Sequence, residues 1–143
     1  MKLYALLVIV AAVGCAQARC KPGDLPKATA TCLQKTKAME IDILDLLLLK
    51  NARNDNAKCF RSCLMTECEF MDEKGNIVPE LSKIGGNLLG GGDPARSSVI
   101  EAAISYCLTD TKFKGDSCDF VENLFLCSVN KCKECKITLP KLA

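Results

Sequence analysis

The stretch Asn54-Asp55-Asn56-Ala57-Lys58-Cys59-Phe60-Arg61-Ser62-Cys63-Leu64-Met65 decides the fold. Asn54 or Asp55 supplies the short polar side chain that caps a helix N-terminus. Cys59, Phe60, Cys63, Leu64 and Glu67 then recur at the spacing of one helix face. Two cysteines four apart on such a face hold their Cβ atoms about 6 Å apart, whereas a disulfide needs about 4 Å. Cys59 and Cys63 therefore bond outward, to two different segments. One helix clamped to two others is the centre of a helical bundle.

The leader determines how the other cysteines are read. Lys2, the apolar run Leu3 to Val13 and the small residues of Ala16-Gln17-Ala18 have the form of a secretory signal cut after Ala18. The run is too short to span about 30 Å of hydrocarbon. The longest later apolar run, Leu46 to Leu49, sits beside Asp42, Asp45 and Lys50. The expectation is a signal peptide over residues 1–18 and one secreted, extracellular domain over 19–143. Of the 11 cysteines, Cys15 leaves with the signal. Cys20, Cys32, Cys59, Cys63, Cys68, Cys107, Cys118, Cys127, Cys132 and Cys135 remain, an even set that an oxidising compartment turns into a disulfide framework.

Composition excludes several functions. The 143 residues are 49% hydrophobic and 25% charged, the balance of a single globular domain. A net charge of +2 with scattered lysines leaves no nucleic-acid footprint. There is no histidine, so Ser-His and Cys-His nucleophiles, His-ligated metals and an imidazole pH switch are all ruled out. The same absence rules out a secreted phospholipase A2, whose mechanism needs a His-Asp pair. Plant-type lipid-transfer proteins use Cys-Cys and Cys-x-Cys, and neither occurs. Cys132-x-x-Cys135 has no second such pair for zinc and no βαβ context for redox work. Asp72-Glu73-Lys74-Gly75-Asn76 is a turn without EF-hand offsets. Gly90-Gly91-Gly92 lacks the Lys-Ser/Thr of a phosphate loop. The sequence therefore predicts no metal, no cofactor and no enzymatic activity.

Helix punctuation dominates the mature chain. Asp24 with Pro26 starts a helix through Cys32 to about Ala38. Ile41 to Lys50 reads as a helix buried on most sides, with Asp42 and Asp45 at its wet edge. Pro79 opens a fourth helix carrying Leu81, Ile84 and Leu88, weakened at Gly85 and Gly86 by about 1 kcal/mol each against alanine. It is expected to be the most labile helix, and Gly90 to Gly92 end it. Asp93 and Pro94 start a fifth, with the stripe Val99, Ile100, Ala103, Ile104, Cys107 and Leu108. Asp116 or Ser117 caps a sixth, with Phe120, Val121, Leu124, Phe125 and Ser128 along one side.

The spacing Cys32-x26-Cys59-x3-Cys63-x43-Cys107-x10-Cys118-x8-Cys127 resembles the six-cysteine signature of the insect odorant-binding proteins, the pheromone- and general-odorant-binding family. Lys58-Cys59-Phe60-Arg61-Ser62-Cys63-Leu64-Met65 is similar to that family's Lys-Cys-aromatic-x-x-Cys-Leu-Met segment. Asp72 to Asn76 matches its usual turn. The resemblance covers about residues 25–130. It implies an all-α fold, a six-helix disulfide-bridged bundle around an apolar cavity, with bridges Cys32–Cys63, Cys59–Cys118 and Cys107–Cys127. Cys20, Cys68, Cys132 and Cys135 depart from the pattern. They are expected to staple the N-terminal arm and the tail to the body, in a pairing the sequence leaves open.

An open interior of about 300 Å³ forfeits on the order of 7 kcal/mol. Three bridges at about 2–4 kcal/mol each are the right size to offset it. The resemblance thus implies a secreted carrier that reversibly binds a small hydrophobic ligand, such as an odorant, pheromone or other semiochemical, and moves it through aqueous lymph. A membrane chemoreceptor is a candidate partner, and monomer and homodimer both stay open. The alternative is a venom, salivary or seminal protein of the same fold that acts on a protein target or scavenges a non-olfactory ligand. Ile84, Leu88, Ile100, Ile104, Phe120 and Leu124 are the expected ligand-binding residues, because each lies on an inward stripe. Tyr106 is a possible polar handle. Ile137, Leu139 and Leu142 are placed to plug the mouth. With no histidine, any acid response falls to carboxylates such as Asp42, Asp45 or Glu122.

Overall fold

Six helices form the described part of the chain, residues 24–139 of a computed structural model; the expected signal over 1–18, Cys20 and Leu142 lie outside it. In order they are α1 (Leu25–Thr36), α2 (Glu40–Leu47), α3 (Asp55–Glu67), α4 (Leu81–Gly90), α5 (Pro94–Asp110) and α6 (Ser117–Glu134). Among the described residues the one β feature is an isolated antiparallel bridge from Met71 to Ile77, which closes the Asp72–Asn76 turn.

Three helix starts follow directly from side-chain chemistry. Asn54 accepts the Ala57 N–H at 2.9 Å. Asp93 accepts the Ala95 N–H at 3.0 Å, with Pro94 entering the first turn. Asp116 accepts the Cys118 N–H at 2.8 Å. Each satisfies an amide that the helix leaves unpaired, worth about 1 kcal/mol. The other boundaries shift from the sequence expectation. α1 stops at Thr36 because Lys37 turns left-handed, α2 ends at Leu47, and α4 begins at Leu81 rather than Pro79.

Covalent bonds tie the bundle. Cys32–Cys63 joins α1 to α3, Cys59–Cys118 joins α3 to α6, and Cys107–Cys127 joins α5 to α6. Cys59 and Cys63 leave α3 toward different helices, so α3 is clamped from two sides. Cys68 is disulfide-bonded as well. The expected stapling of the tail is not present: Cys132 and Cys135 are free thiols. They sit three residues apart at the end of α6, one turned into the core and the other toward solvent, a placement that aims them at different surroundings.

α2 corrects the sequence reading most sharply. Its aspartates are the inner face: Asp42 is 2% exposed and Asp45 3%. Its aliphatic residues look outward, with Leu44 42% exposed and Ile41 36%. The physical reason is a set of polar partners that the periodicity could not show. Asp42 accepts the Met39 N–H at 2.8 Å, capping the helix from its third position. Asp45 is ion-paired to Arg53. Beneath them Arg61 of α3 bonds Glu122 of α6 at 2.9 Å and the Lys50 carbonyl at 2.6 Å, while Glu122 also accepts the Ala52 N–H at 2.9 Å. Both Arg61 and Glu122 are buried, and the Arg61 guanidinium lies 4.6 Å from the centre of the Phe125 ring. The connection from α2 to α3 is thereby pinned to the bundle by charge-assisted bonds rather than by grease.

Glycine makes α4 and α5 pack closely. They run antiparallel, with Gly85 beside Ile104 and Gly90 beside Ser97. A Cβ on Gly86 would stand 2.7 Å from the Ser97 carbonyl oxygen, and one on Gly90 2.0 Å from the Ser97 hydroxyl. The glycines that lower helix propensity here form the flat face on which α5 rests. Ile100, Ala103, Ile104 and Cys132 make the core of this side, covered by Leu89, Leu108, Ile137 and Leu139. A second cluster joins Met71, Phe120 and Val121, with Met65 and Ile77 against it.

Candidate functional site

A cleft of about 360 Å³ opens between those two clusters. One wall is the segment Gly75–Pro79, the other the end of α5 at Leu108 and Thr111 with Lys112 and Phe113 beyond it; Phe120 of α6 also lines it. Leu108 belongs to the α5 cluster while Phe120 and Ile77 belong to the other, so the cleft is a seam where two packed cores fail to merge. Its volume lies in the range of ligand pockets, about 300–1,000 Å³.

An aromatic pair shapes this wall. Phe113 meets Phe120 edge to face, with ring centres 5.6 Å apart and planes at 86°. The Phe113 ring also lies against the backbone of Gly75, where a Cβ would come within 2.4 Å of it. Gly75 has φ +81°, a left-handed conformation that completes the turn. Two reasons thus require glycine there: the turn geometry and the approach of the ring. The turn itself is held by Asp72, whose carboxylate accepts the Lys74 and Asn76 amides at 2.8 and 2.9 Å and the Asn76 side-chain amide at 2.8 Å. Those bonds, led by the Asn76 side chain, hold the Asp72 carboxyl below its ordinary range.

Of the six residues expected from inward stripes, Phe120 lines the cleft. Ile100 and Ile104 sit in the α5 cluster, and Leu124 is buried on α6. Ile84 and Leu88 are half-buried on α4. Leu108, on the α5 stripe, lines it as well, while the other lining residues, including Ile77, Val78, Pro79 and Phe113, come from connections. Helical periodicity cannot select such residues. A usable signal was present in Phe113, an aromatic residue stranded between two helices in a run of lysines and glycine.

The described part of the tail, through Leu139, lies elsewhere. Ile137 and Leu139 cover the Ile100–Ile104 cluster, and the Thr138 carbonyl accepts a bond from Arg96 at the start of α5. Tyr106 is half-exposed with the Lys131 ammonium 4.6 Å from its ring centre, a surface cation–π contact. Burial pushes the Cys132 thiol up, with the neighbouring Cys135 adding to the shift. Among the described residues no group of three or more His, Cys, Asp or Glu side chains could hold a metal. No helix there is long and apolar enough to cross a membrane.

The cleft can therefore take a small molecule between Ile77, Val78, Leu108, Phe113 and Phe120, with Asn76, Thr111 and Lys112 as polar lining on its two walls. The PBP/GOBP family model matches residues 22–131 of the chain. Among curated proteins the chain finds no match. Among solved structures it is similar to the odorant-binding protein dmelOBP28a from Drosophila melanogaster, at 21% identity and a TM-score of 0.66, over 81% of this chain and 95% of that one. At that identity the likeness concerns the fold.

Proposed function

Because the chain belongs to the PBP/GOBP family, we propose that it is a secreted carrier that binds a small hydrophobic molecule reversibly in the cleft between Gly75–Pro79, Leu108–Phe113 and Phe120. The observation that carries this reading is the cleft itself. It offers about 360 Å³ of space with Ile77, Val78, Leu108, Phe113 and Phe120 around it, in a fold whose solved neighbour is described as odorant-binding. Affinity comes from removing apolar ligand surface from water, about 25 cal/mol per Å², or about 0.8 kcal/mol per methylene. The ligand leaves as it came, with no bond made or broken. Transport through an aqueous secretion, with delivery to a membrane chemoreceptor, is the role such binding serves.

Native mass spectrometry of the purified mature protein tests the proposal. With decanol added, a carrier gains the mass of one alcohol per chain and loses it when an excess of a second apolar ligand is added. Failure to retain any ten-carbon ligand under gentle ionisation would contradict the reading.

A further inference from the structure

We propose that the cleft selects amphipathic ligands by head group, taking an apolar body that ends in a carboxylate in preference to one that ends in an ammonium, with Lys112 and the Thr111 hydroxyl as the receiving groups. The inference rests on the cleft being the ligand site and goes on to name the chemical class that it takes.

The charge on the lining is one-sided. Lys112 is its cation, and no aspartate or glutamate lines it. The acids near it in sequence are occupied or outside. Asp72 spends its carboxylate on the Lys74 and Asn76 amides of its own turn. Asp116 spends its carboxylate on the first amides of α6. Asp110 is exposed at the end of α5 and Glu73 is exposed in the turn, neither of them on the cleft wall. The C-terminus of α5 does bring partial negative charge to this side. The Lys112 ammonium already meets it, donating to the Thr109 carbonyl at 2.9 Å. An ammonium carries three donors, so two remain for a ligand. Thr111 is half-buried and lines the same space, and among the described residues no protein group hydrogen-bonds its hydroxyl. Two adjacent donors, Lys112 and Thr111, therefore stand on one wall of a cleft whose lining mixes polar and apolar groups. A carboxylate there accepts from both groups, and an ammonium meets a like charge.

The test is displacement of a neutral apolar fluorescent probe by decanoate, decanol and decylamine at pH 7. These ligands share a chain length and differ in head group. Normalised to decanol, decanoate is expected to bind about fivefold more tightly than decylamine, the scale of one partly exposed ion pair. The ratio should narrow as salt is raised from low to high, because screening acts on exposed charge. Lys112→Met should bring the ratio toward one, and Lys112→Arg should keep it. If probe and decanol bind but decylamine equals or exceeds decanoate, the head-group inference is overturned while the carrier reading stands. A ratio that ignores both salt and Lys112→Met overturns it equally. If neither the probe nor any of the three ligands binds, the carrier reading itself fails.

Discussion

Replacing Arg61 by methionine removes the cation from the interior while keeping much of its length. In the folded chain Arg61 donates to Glu122 at 2.9 Å and to the Lys50 carbonyl at 2.6 Å, and its plane covers Phe125. Arg61→Met leaves Glu122 buried with only the Ala52 amide as partner, and it leaves the Lys50 carbonyl without this donor. Breaking a buried pair from one side costs about 3–5 kcal/mol, because the remaining charge is stranded. For a domain of this size that corresponds to a fall in melting temperature of roughly 10–20 °C. Glu122→Leu added to Arg61→Met removes the stranded charge. The double variant should then be more stable than Arg61→Met alone, with a coupling energy of at least about 2 kcal/mol. Urea unfolding of the four proteins, followed by far-UV circular dichroism, measures the cycle. If the two substitutions add within about 0.5 kcal/mol, the pair does not hold α3, α6 and the 50–53 connection together, and the reasoning is refuted.

The outward aliphatic face of α2 gives a second test. Leu44→Lys should change stability by no more than about 0.5 kcal/mol, as surface substitutions do, while Asp42→Ala should cost about 1 kcal/mol through the lost cap; the reverse order in urea midpoints would restore the opposite orientation of this helix. Gly86→Ala raises helix propensity by about 1 kcal/mol, yet its Cβ would meet the Ser97 carbonyl at 2.7 Å. The variant should therefore be less stable by about 1–3 kcal/mol, and a thermal melt that rises instead would remove the close-packing argument. The pH dependence follows from Asp45 and Asp72. Bonded to Arg53 and Asn76 respectively, both have carboxyls held below the ordinary carboxylate range. Depressed carboxylates contribute stability at neutral pH that disappears only as pH falls below the unfolded value toward the folded one. Stability and probe affinity should thus stay level between pH 7 and 6, with stability lost below about pH 4; a tenfold loss of affinity between pH 7 and 6 would contradict this.

Much of this architecture is legible in the sequence because its signals are local. Asn54, Asp93 and Asp116 announce three helices in their own side chains, and the four-residue gap between Cys59 and Cys63 is enough to send their bonds apart. The three bridge pairings came through family resemblance, since the connectivity of many cysteines does not follow from spacing alone. What the sequence hid is set by partners far along the chain. Asp42 and Asp45 look like a solvated edge until Arg53, Arg61 and Glu122 are brought beneath them. Gly85 and Gly86 look like weakness until α5 is laid against them. The cleft was hidden for a related reason. It is bounded largely by connections, where Ile77, Val78 and Phe113 have no periodicity to reveal which way they face, while the inward stripes that were legible, such as Ile100 and Ile104, mostly fill core.

The most direct measurement is a titration of the purified protein with a neutral apolar fluorescent probe, comparing the native chain with Phe113→Asp. The chain has no tryptophan, so probe emission can be read without indole background. Saturable one-to-one binding, displaced by decanol and weakened at least tenfold by Phe113→Asp in a still-folded protein, is the predicted result. Binding that survives the aspartate unchanged would place the guest somewhere other than this cleft, and no saturable binding at all would contradict the carrier itself.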